Sequence, residues 1–571
     1  MVESYEKLEC LYSHYVTLIH GGWLSLFRFL LMRNVGSLSF LLILLLPTGM
    51  YAQSSPAIQW QKCYGGSSKD IGNCIINTFD GGYAICGNTF SNDGDVSGNH
   101  GGSDCWVVKL NSSGKLVWQK CLGGSNDDGA ASMIQTSDGG YIVTGFTKSS
   151  DGDLLGISQG NSINGDMWII KLDTGGAIAW QKIIGKPGTA TNPIASSIIQ
   201  TFDNGFVISG AGVFGDEGCP SSFTKAIVMK FDSSGNEEWH NCYGALSAAT
   251  FGGQIIQTLD SGYAFAGSTE GDGGDVSGFH GGLFDGWLVK LNRYGSLEWQ
   301  RCLGGSGNDG LRSLFQTEDS GFVAAGYTNS TDGDVSGMKG GSDVWVVKVS
   351  SSGNLEWQRC YGGTKGAATN FMKRTADRGF FICATTNSND GDVTGLHSKD
   401  TNDIWLIKLN SAGALQWQKC LGGTNDDEGS YVIQNRTGAI VIAGYTGSND
   451  GDVSGNHAVG NIVGDIWVVQ LTPEDGVETE ASPYLGLANY FNIYPNPSST
   501  QVHLQMEGDQ PVQRVKLYDL IGRDVTPSYE LAGNMATVNV NGLTNGIYIA
   551  RLTFRYIDYT GTFTRPLVVQ H

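Results

Sequence analysis

Residues 118–124 read WQKCLGG; SMIQT (132–136), DGG (138–140), YIVTGFT (141–147) and DMWIIKL (166–172) follow, before AIAWQK (177–182) starts the pattern again. Apolar and polar residues alternate within each short run, the period-two signature of half-buried strands. Four strands are expected: A at Ser132–Thr136, B at Tyr141–Thr147, C at Met167–Leu172 and D at Ala177–Lys182. Asp138-Gly139-Gly140 supplies a tight turn between A and B, because glycine tolerates positive φ. No 3.6-residue period runs through the unit, which argues against a helical solenoid.

Working outward, the W-Q-K-C element and its variants begin at Trp60, Trp118, Trp180, Trp239, Trp299, Trp357 and Trp417, with gaps of 58, 62, 59, 60, 58 and 60 residues. A second series, D-x-W-[VIL]-[VI]-K-L, carries Trp106, Trp168, Trp287, Trp345, Trp405 and Trp467; in the third unit Ile227 replaces Trp and Lys225 replaces Asp. Both the A–B–C triplets and the D strands number seven, but the first D strand (Ile58–Cys63) precedes every triplet. The last triplet ends at Leu471 with no D strand after it. The N-terminal strand is therefore expected to complete the last blade and hide two edges. The fold class is all-β: a seven-bladed β-propeller at 57–471, with an open β-solenoid as the alternative. The repeats resemble secreted bacterial propeller repeats of about 60 residues, loosely akin to kelch and WD-repeat blades.

Composition fits this reading. Of 571 residues 84 are glycine and 12 proline; 14 Trp, 22 Tyr and 23 Phe provide ample core material. The net charge is −20. An acidic chain is poorly suited to nucleic acid, whose phosphates demand Lys and Arg in excess.

Residues 32–52, MRNVGSLSFLLILLLPTGMYA, combine Arg33, an apolar run and a terminal Ala52, the pattern of a secretory signal peptide. The run is too short to span a membrane, so no stable transmembrane span is expected once the signal is removed. Residues 1–31 read as a leader from a start site placed too early, with a membrane-anchored leader as the alternative. At the other end, 472–486 is an acidic linker, and 487–571 reads as a small Ig-like β-sandwich of short strands. The order Tyr494-Pro495-Asn496-Pro497, Leu517-Tyr518-Asp519 with Gly522, then Gly546 and Tyr548, resembles the type IX secretion C-terminal sorting domain. That resemblance implies the type IX secretion machinery as a partner, and a protein secreted or attached to the outer-membrane surface. Linker and tail leave about −16 of the charge on the repeats.

In a propeller the D–A and B–C loops share one face. Six of the seven long B–C loops carry an aspartate pair: Asp93/Asp95, Asp151/Asp153, Asp272/Asp275, Asp332/Asp334, Asp390/Asp392 and Asp450/Asp452. The third blade offers Asp216 and Glu217, and D–A loops add Asp127, Asp128, Asp309, Asp426 and Asp427. Carboxylates beside flexible carbonyls are what Ca²⁺ takes. The motif N-D-G-D-V-S-G lacks the D-x-D-x-D-G order, however, and Asx-turns account for it more simply. Calcium is thus one expected cofactor reading and a structural role the other. His100, His280, His397 and His457 each follow the second Asp by five residues; Lys339 and Ser158 stand there elsewhere. The Asp of D-x-W is expected to accept loop hydrogen bonds, Gln135, Gln200, Gln257 and Gln316 to line the channel, and the Trp residues to fill space between blades. The recurrent strand-D cysteines, Cys242 among them, are expected to be small buried hydrophobes. Cys74, Cys86 and Cys105 lie close enough in sequence to allow one disulfide.

No H-E-x-x-H or phosphate loop occurs, and no catalytic residue is assigned. The most singular loop is Ala211–Thr224 of the third blade. The expected function is a non-enzymatic binding or adhesion module for an extracellular glycan, protein or cation. The alternatives are a polysaccharide hydrolase or lyase acting from the loop face, and a structural surface-layer component.

Overall fold

The computed structural model describes residues 55–571 apart from 137, 158–164, 186–192, 214–218, 220–222, 458–462, 475–490, 495–497, 507–511, 520–522, 534 and 557–558. The leader, the signal peptide and most of the acidic linker therefore lie outside the described residues.

Seven four-stranded antiparallel sheets follow the repeats. In the first blade strands A to D are Asp70–Asn77, Tyr83–Thr89, Asp104–Leu110 and Leu116–Leu122. The seventh takes Asp427–Gln434, Ile440–Thr446 and Asp465–Leu471 from the end of the repeats, and Ile58–Tyr64 from their beginning. Ile58 pairs with Leu471 and Cys63 with Trp467, so the N-terminal strand closes the ring. Strand A of each blade contacts strand A of the next, the seventh touching the first, which puts these strands at the axis.

Repeat residues explain the blade. The D-x-W tryptophans are fully buried. Trp106 Nε1 donates to Gln119 Oε1 at 2.8 Å, and Trp168, Trp287, Trp345, Trp405 and Trp467 do the same to the glutamine of W-Q-K-C. A buried indole N–H needs such an acceptor. The lysine that ends strand C reaches the A–B turn: Lys109 Nζ lies 2.8 Å from Asp80, and Lys171, Lys230, Lys290, Lys348 and Lys408 repeat the pairing. Gln135, Gln257 and Gln316 accept backbone N–H groups from Phe79, Phe202 and Leu259 of the preceding blade, so these amides join blades at the turn end of the axis.

Two expectations need correction. The second strand A starts at Asp128 rather than Ser132, because a β-bulge between Ala130 and Ser132 breaks the alternation on which the sequence reading depended. Cys242 is also not a free hydrophobe, being disulfide-bonded to Cys219 with Cα atoms 5.3 Å apart. Elsewhere the strand-D cysteine packs in one cluster with a loop valine, as Cys121 with Val96, Cys302 with Val276 and Cys360 with Val335. Cys219 occupies the valine's place in the third blade. Cys74, Cys86 and Cys105 are free and buried, although Cys74 and Cys86 stand opposite each other in register.

The C-terminal segment forms a four-stranded sheet and a three-stranded sheet that share one core, including Val502, Leu504, Val515, Val538 and Leu552. Tyr494 ends the strand Phe491–Tyr494 and pairs with His503. Gly546 opens the strand Gly546–Tyr556, and the buried Tyr548 donates its hydroxyl to Thr544 O at 2.8 Å. Pro495, Asn496, Pro497 and Gly522 lie outside the described residues.

Candidate functional site

The N-D-G-D-V-S-G loop divides its residues between distinct tasks. The first aspartate caps the neighbouring D–A loop: Asp93 accepts the Ser67 N–H at 2.7 Å, and Asp151, Asp332, Asp390 and Asp450 accept those of Ser125, Ser306, Thr364 and Thr424. Those backbone bonds hold the Asp93, Asp151 and Asp332 carboxyls below the ordinary value; for Asp390 the Thr364 hydroxyl leads, with its N–H second. The glycine between the aspartates packs against that loop's backbone at φ +65 for Gly94, where a side chain would collide with Gly65 O.

The second aspartate ties the same loop from the other side. Asp95, Asp153, Asp275, Asp334, Asp392 and Asp452 each donate their N–H to a D–A loop glycine carbonyl. Asp153, Asp275, Asp334 and Asp392 also accept that glycine's N–H. Asp272 instead accepts the Phe279 N–H at 3.0 Å. The valine enters the core, and the following serine or threonine accepts the W-Q-K-C glutamine, as Ser97 does from Gln119 at 2.7 Å. Among the described residues no group of three or more His, Cys, Asp or Glu converges as a metal site. Asp216 and Glu217 lie outside the described residues.

Behind these loops runs a belt of charges. His100, His280, His397 and His457 bring Nδ1 to 2.6–2.8 Å of the buried D-x-W carboxylates Asp104, Asp285, Asp403 and Asp465. Their backbone N–H groups donate to the same oxygens. The far ring nitrogen turns to the next blade, His280 Nε2 being 3.7 Å from Asp334 and His397 Nε2 3.4 Å from Asp452. Lys339 makes the equivalent bridge to Asp392 at 2.8 Å. Partial burial opposes a charge on His100 and His457. The hydrogen bonds donated to Asp104 and Asp465, with further acidic neighbours, still raise both above the ordinary value.

Each D-x-W aspartate also turns a buried Oδ1 with no hydrogen-bond partner toward the next blade. At four of the six junctions it meets a second buried carboxylate, Asp104 with Asp128, Asp285 with Asp309, Asp403 with Asp427 and Asp465 with Asp70: Asp465 Oδ1 and Asp70 Oδ2 both come within 2.5 Å of where a Gly65 Cβ would stand. Burial raises the carboxyls of Asp70 and Asp104, and pushes Asp427 and Asp465 up to about 6. Two facing carboxylates in a dry site favour one shared proton.

The axis differs from the loops. Every strand A bulges, and the residues left out of the ladder lie at the axis: Asn73, Ala131, Ser196, Gly253 with Gln254, Arg312, Asn370 and Ser430. They ring a cavity of about 290 Å³. These positions vary from blade to blade where the loops repeat, and sequence reasoning passed over them because it looked for recurrence.

Fold and loops together define the class, a closed seven-bladed β-propeller. Residues 492–563 match the family described as the secretion system C-terminal sorting domain, and that tail marks the chain as a cargo of type IX secretion, secreted or attached at the cell surface. Among the described residues no helix is long and apolar enough to cross a membrane. The regulatory protein FlaEY of Caulobacter vibrioides is 23% identical over 147 residues, covering 24% of this chain and 15% of that protein's length. Similar solved structures include a DUF4221 family member from Bacteroides vulgatus, 9% identical over 74% of this chain and 98% of that one, with a TM-score of 0.31. The Pan2 WD40 domain of Neurospora crassa is 14% identical over 60% of this chain and 88% of that one, with a TM-score of 0.29. Sqt1 from Chaetomium thermophilum is 11% identical over 73% of this chain and 100% of that one, with a TM-score of 0.35.

Proposed function

We propose that this exported protein is a non-enzymatic binding or adhesion module whose loop face engages an extracellular glycan or protein. The supporting observation is the repetition of one stapled, acidic, solvent-facing loop around the ring. Asn92, Asp93 and Gly94 are exposed in the first blade, and Asn389, Asp390 and Gly391 in the sixth. Repeated rigid loops suit weak contacts made many times, where avidity replaces a single tight site.

The test incubates the full chain with a panel of insoluble polysaccharides and measures both retained protein and released sugar. Retention without release supports the proposal. Released oligosaccharide would replace it with a hydrolase or lyase. Neither signal would shift the reading to a protein partner or a structural surface role.

A further inference from the structure

The axial cavity carries an inference independent of the loop face. Its lining includes one charged side chain, Arg312, and no acid. In a chain of net charge −20 this is unusual. Arg312 has no carboxylate partner among the described residues; one guanidinium nitrogen donates to Asn370 Oδ1 at 2.6 Å, and the group lies 5.5 Å from the Tyr327 ring centroid. These two contacts fix the guanidinium and leave its other N–H groups for a ligand. Asn370 is itself anchored, its Nδ2 donating to Gly429 O at 2.6 Å.

The rest of the lining is suited to hydroxyl groups. The Ser196 and Ser430 hydroxyls have no protein partner among the described residues. Asn73 commits its amide nitrogen to Ala130 O at 2.7 Å and leaves its carbonyl oxygen available. Phe251 supplies an apolar wall beside Phe284, with ring centroids 6.0 Å apart. The floor is the stacked pair Phe371 and Tyr431, centroids 3.5 Å apart. Three residues past the bulge the strands contribute Ile76, Ile134, Ile199, Ile256, Phe315 and Ile433, with Lys373 as the sole charge of that layer. Lys373 Nζ lies 5.9 Å from the Phe315 ring, and burial lowers its amine to about 8, so it remains a cation at neutral pH. A second positive charge thus stands beneath the first with no acid in the lining to cancel it.

We propose that the axial cavity is a single-copy binding site for a monosaccharide-sized sugar acid, whose carboxylate pairs with Arg312 and whose hydroxyls meet Asn73, Ser196, Asn370 and Ser430. The guanidinium fork matches a carboxylate, and a cavity of about 290 Å³ falls at the small end of ligand pockets.

The test titrates the full chain with D-glucuronate, D-glucose and inorganic sulfate by calorimetry. Glucuronate is expected to bind at least about tenfold tighter than either other probe, the worth of one charge-assisted hydrogen bond. Arg312→Gln is expected to reduce glucuronate to the level of glucose without moving the melting midpoint, since Arg312 is exposed. Ser196→Trp, which fills the mouth and leaves Arg312 in place, is expected to abolish binding. Sulfate binding as well as glucuronate would overturn the sugar-acid assignment. So would undetectable glucuronate binding, or affinity unchanged in either variant.

Discussion

The facing carboxylates between blades predict that mild acid strengthens the ring. At the closing junction Asp465 faces Asp70, His457 and, through His457, Asp95; at the preceding one Asp427 faces Asp403. Asp427 and Asp465 rise from 3.8 to about 6 on folding. The native state therefore holds protons there that the unfolded chain has released, and stability grows as pH falls from about 6 toward about 4. Each group contributes about 3 kcal/mol across that window, and they belong to separate junctions, so the effects add. His100 and His457, also raised, act in the same sense: their contribution is full below the unfolded value of 6.5 and is lost as pH climbs through the folded one. The opposing term comes from acids such as Asp319, exposed but held down to about 2 by Thr317 and Lys348, whose contribution is lost as pH falls below about 4. At roughly 1 °C per kcal/mol for a chain of this size, the melting midpoint should rise by about 3 to 6 °C between pH 7.5 and pH 5 and fall at stronger acidity. Circular dichroism melts at fixed ionic strength would measure this. Asp465→Asn should raise the midpoint at neutral pH and remove part of the slope, because the amide can donate where Oδ1 has no partner and Asp166 and Asp427 still titrate near 6. A midpoint that is flat or falls over that range, or an Asp465→Asn variant less stable at neutral pH, would refute the shared-proton account.

Further outcomes follow from the same geometry. Reduction of Cys219–Cys242, which encloses a 23-residue separation, should cost about 3 kcal/mol, whereas Cys219→Val should recover part of it by restoring the plug of the other blades; melts with and without reductant decide this. Gln358→Leu strands the buried Trp345 N–H and should cost about 2 kcal/mol in a urea titration, while Gln358→Glu, which keeps an acceptor, should cost less. Ca²⁺ at millimolar concentration should leave the melting midpoint where chelator leaves it, because the Asp pairs already accept or frame backbone N–H groups; an upward shift would restore the aspartate pairs as ion ligands.

The blades were legible because their signals are local. Alternation, Asp-Gly turns and tryptophan spacing each lie within a few residues, and the unmatched first strand D exposed the closure. The bulges were not legible, since one extra residue resembles a lapse in pattern until the partner strand is in place. The aspartate pairs read as turn formers first and as ion ligands second. Deciding what they hold required the D–A loop, whose Ser67 lies 26 positions from Asp93. Cys219 would have been found by aligning the third loop on the others and noting cysteine at the valine position, opposite a strand-D cysteine. The axial residues follow the opposite rule, because they stand out by failing to repeat.

The pairing of Ile58–Tyr64 with Asp465–Leu471 also sets an order of events. The first strand of the repeats waits for the last one, and the sorting domain at 492–563 is synthesised only after that partner. A chain cut short anywhere in the repeats lacks both the strand that would shut its ring and the tag that would carry it out. Synthesis itself thus proofreads the cargo: only molecules able to close acquire the address.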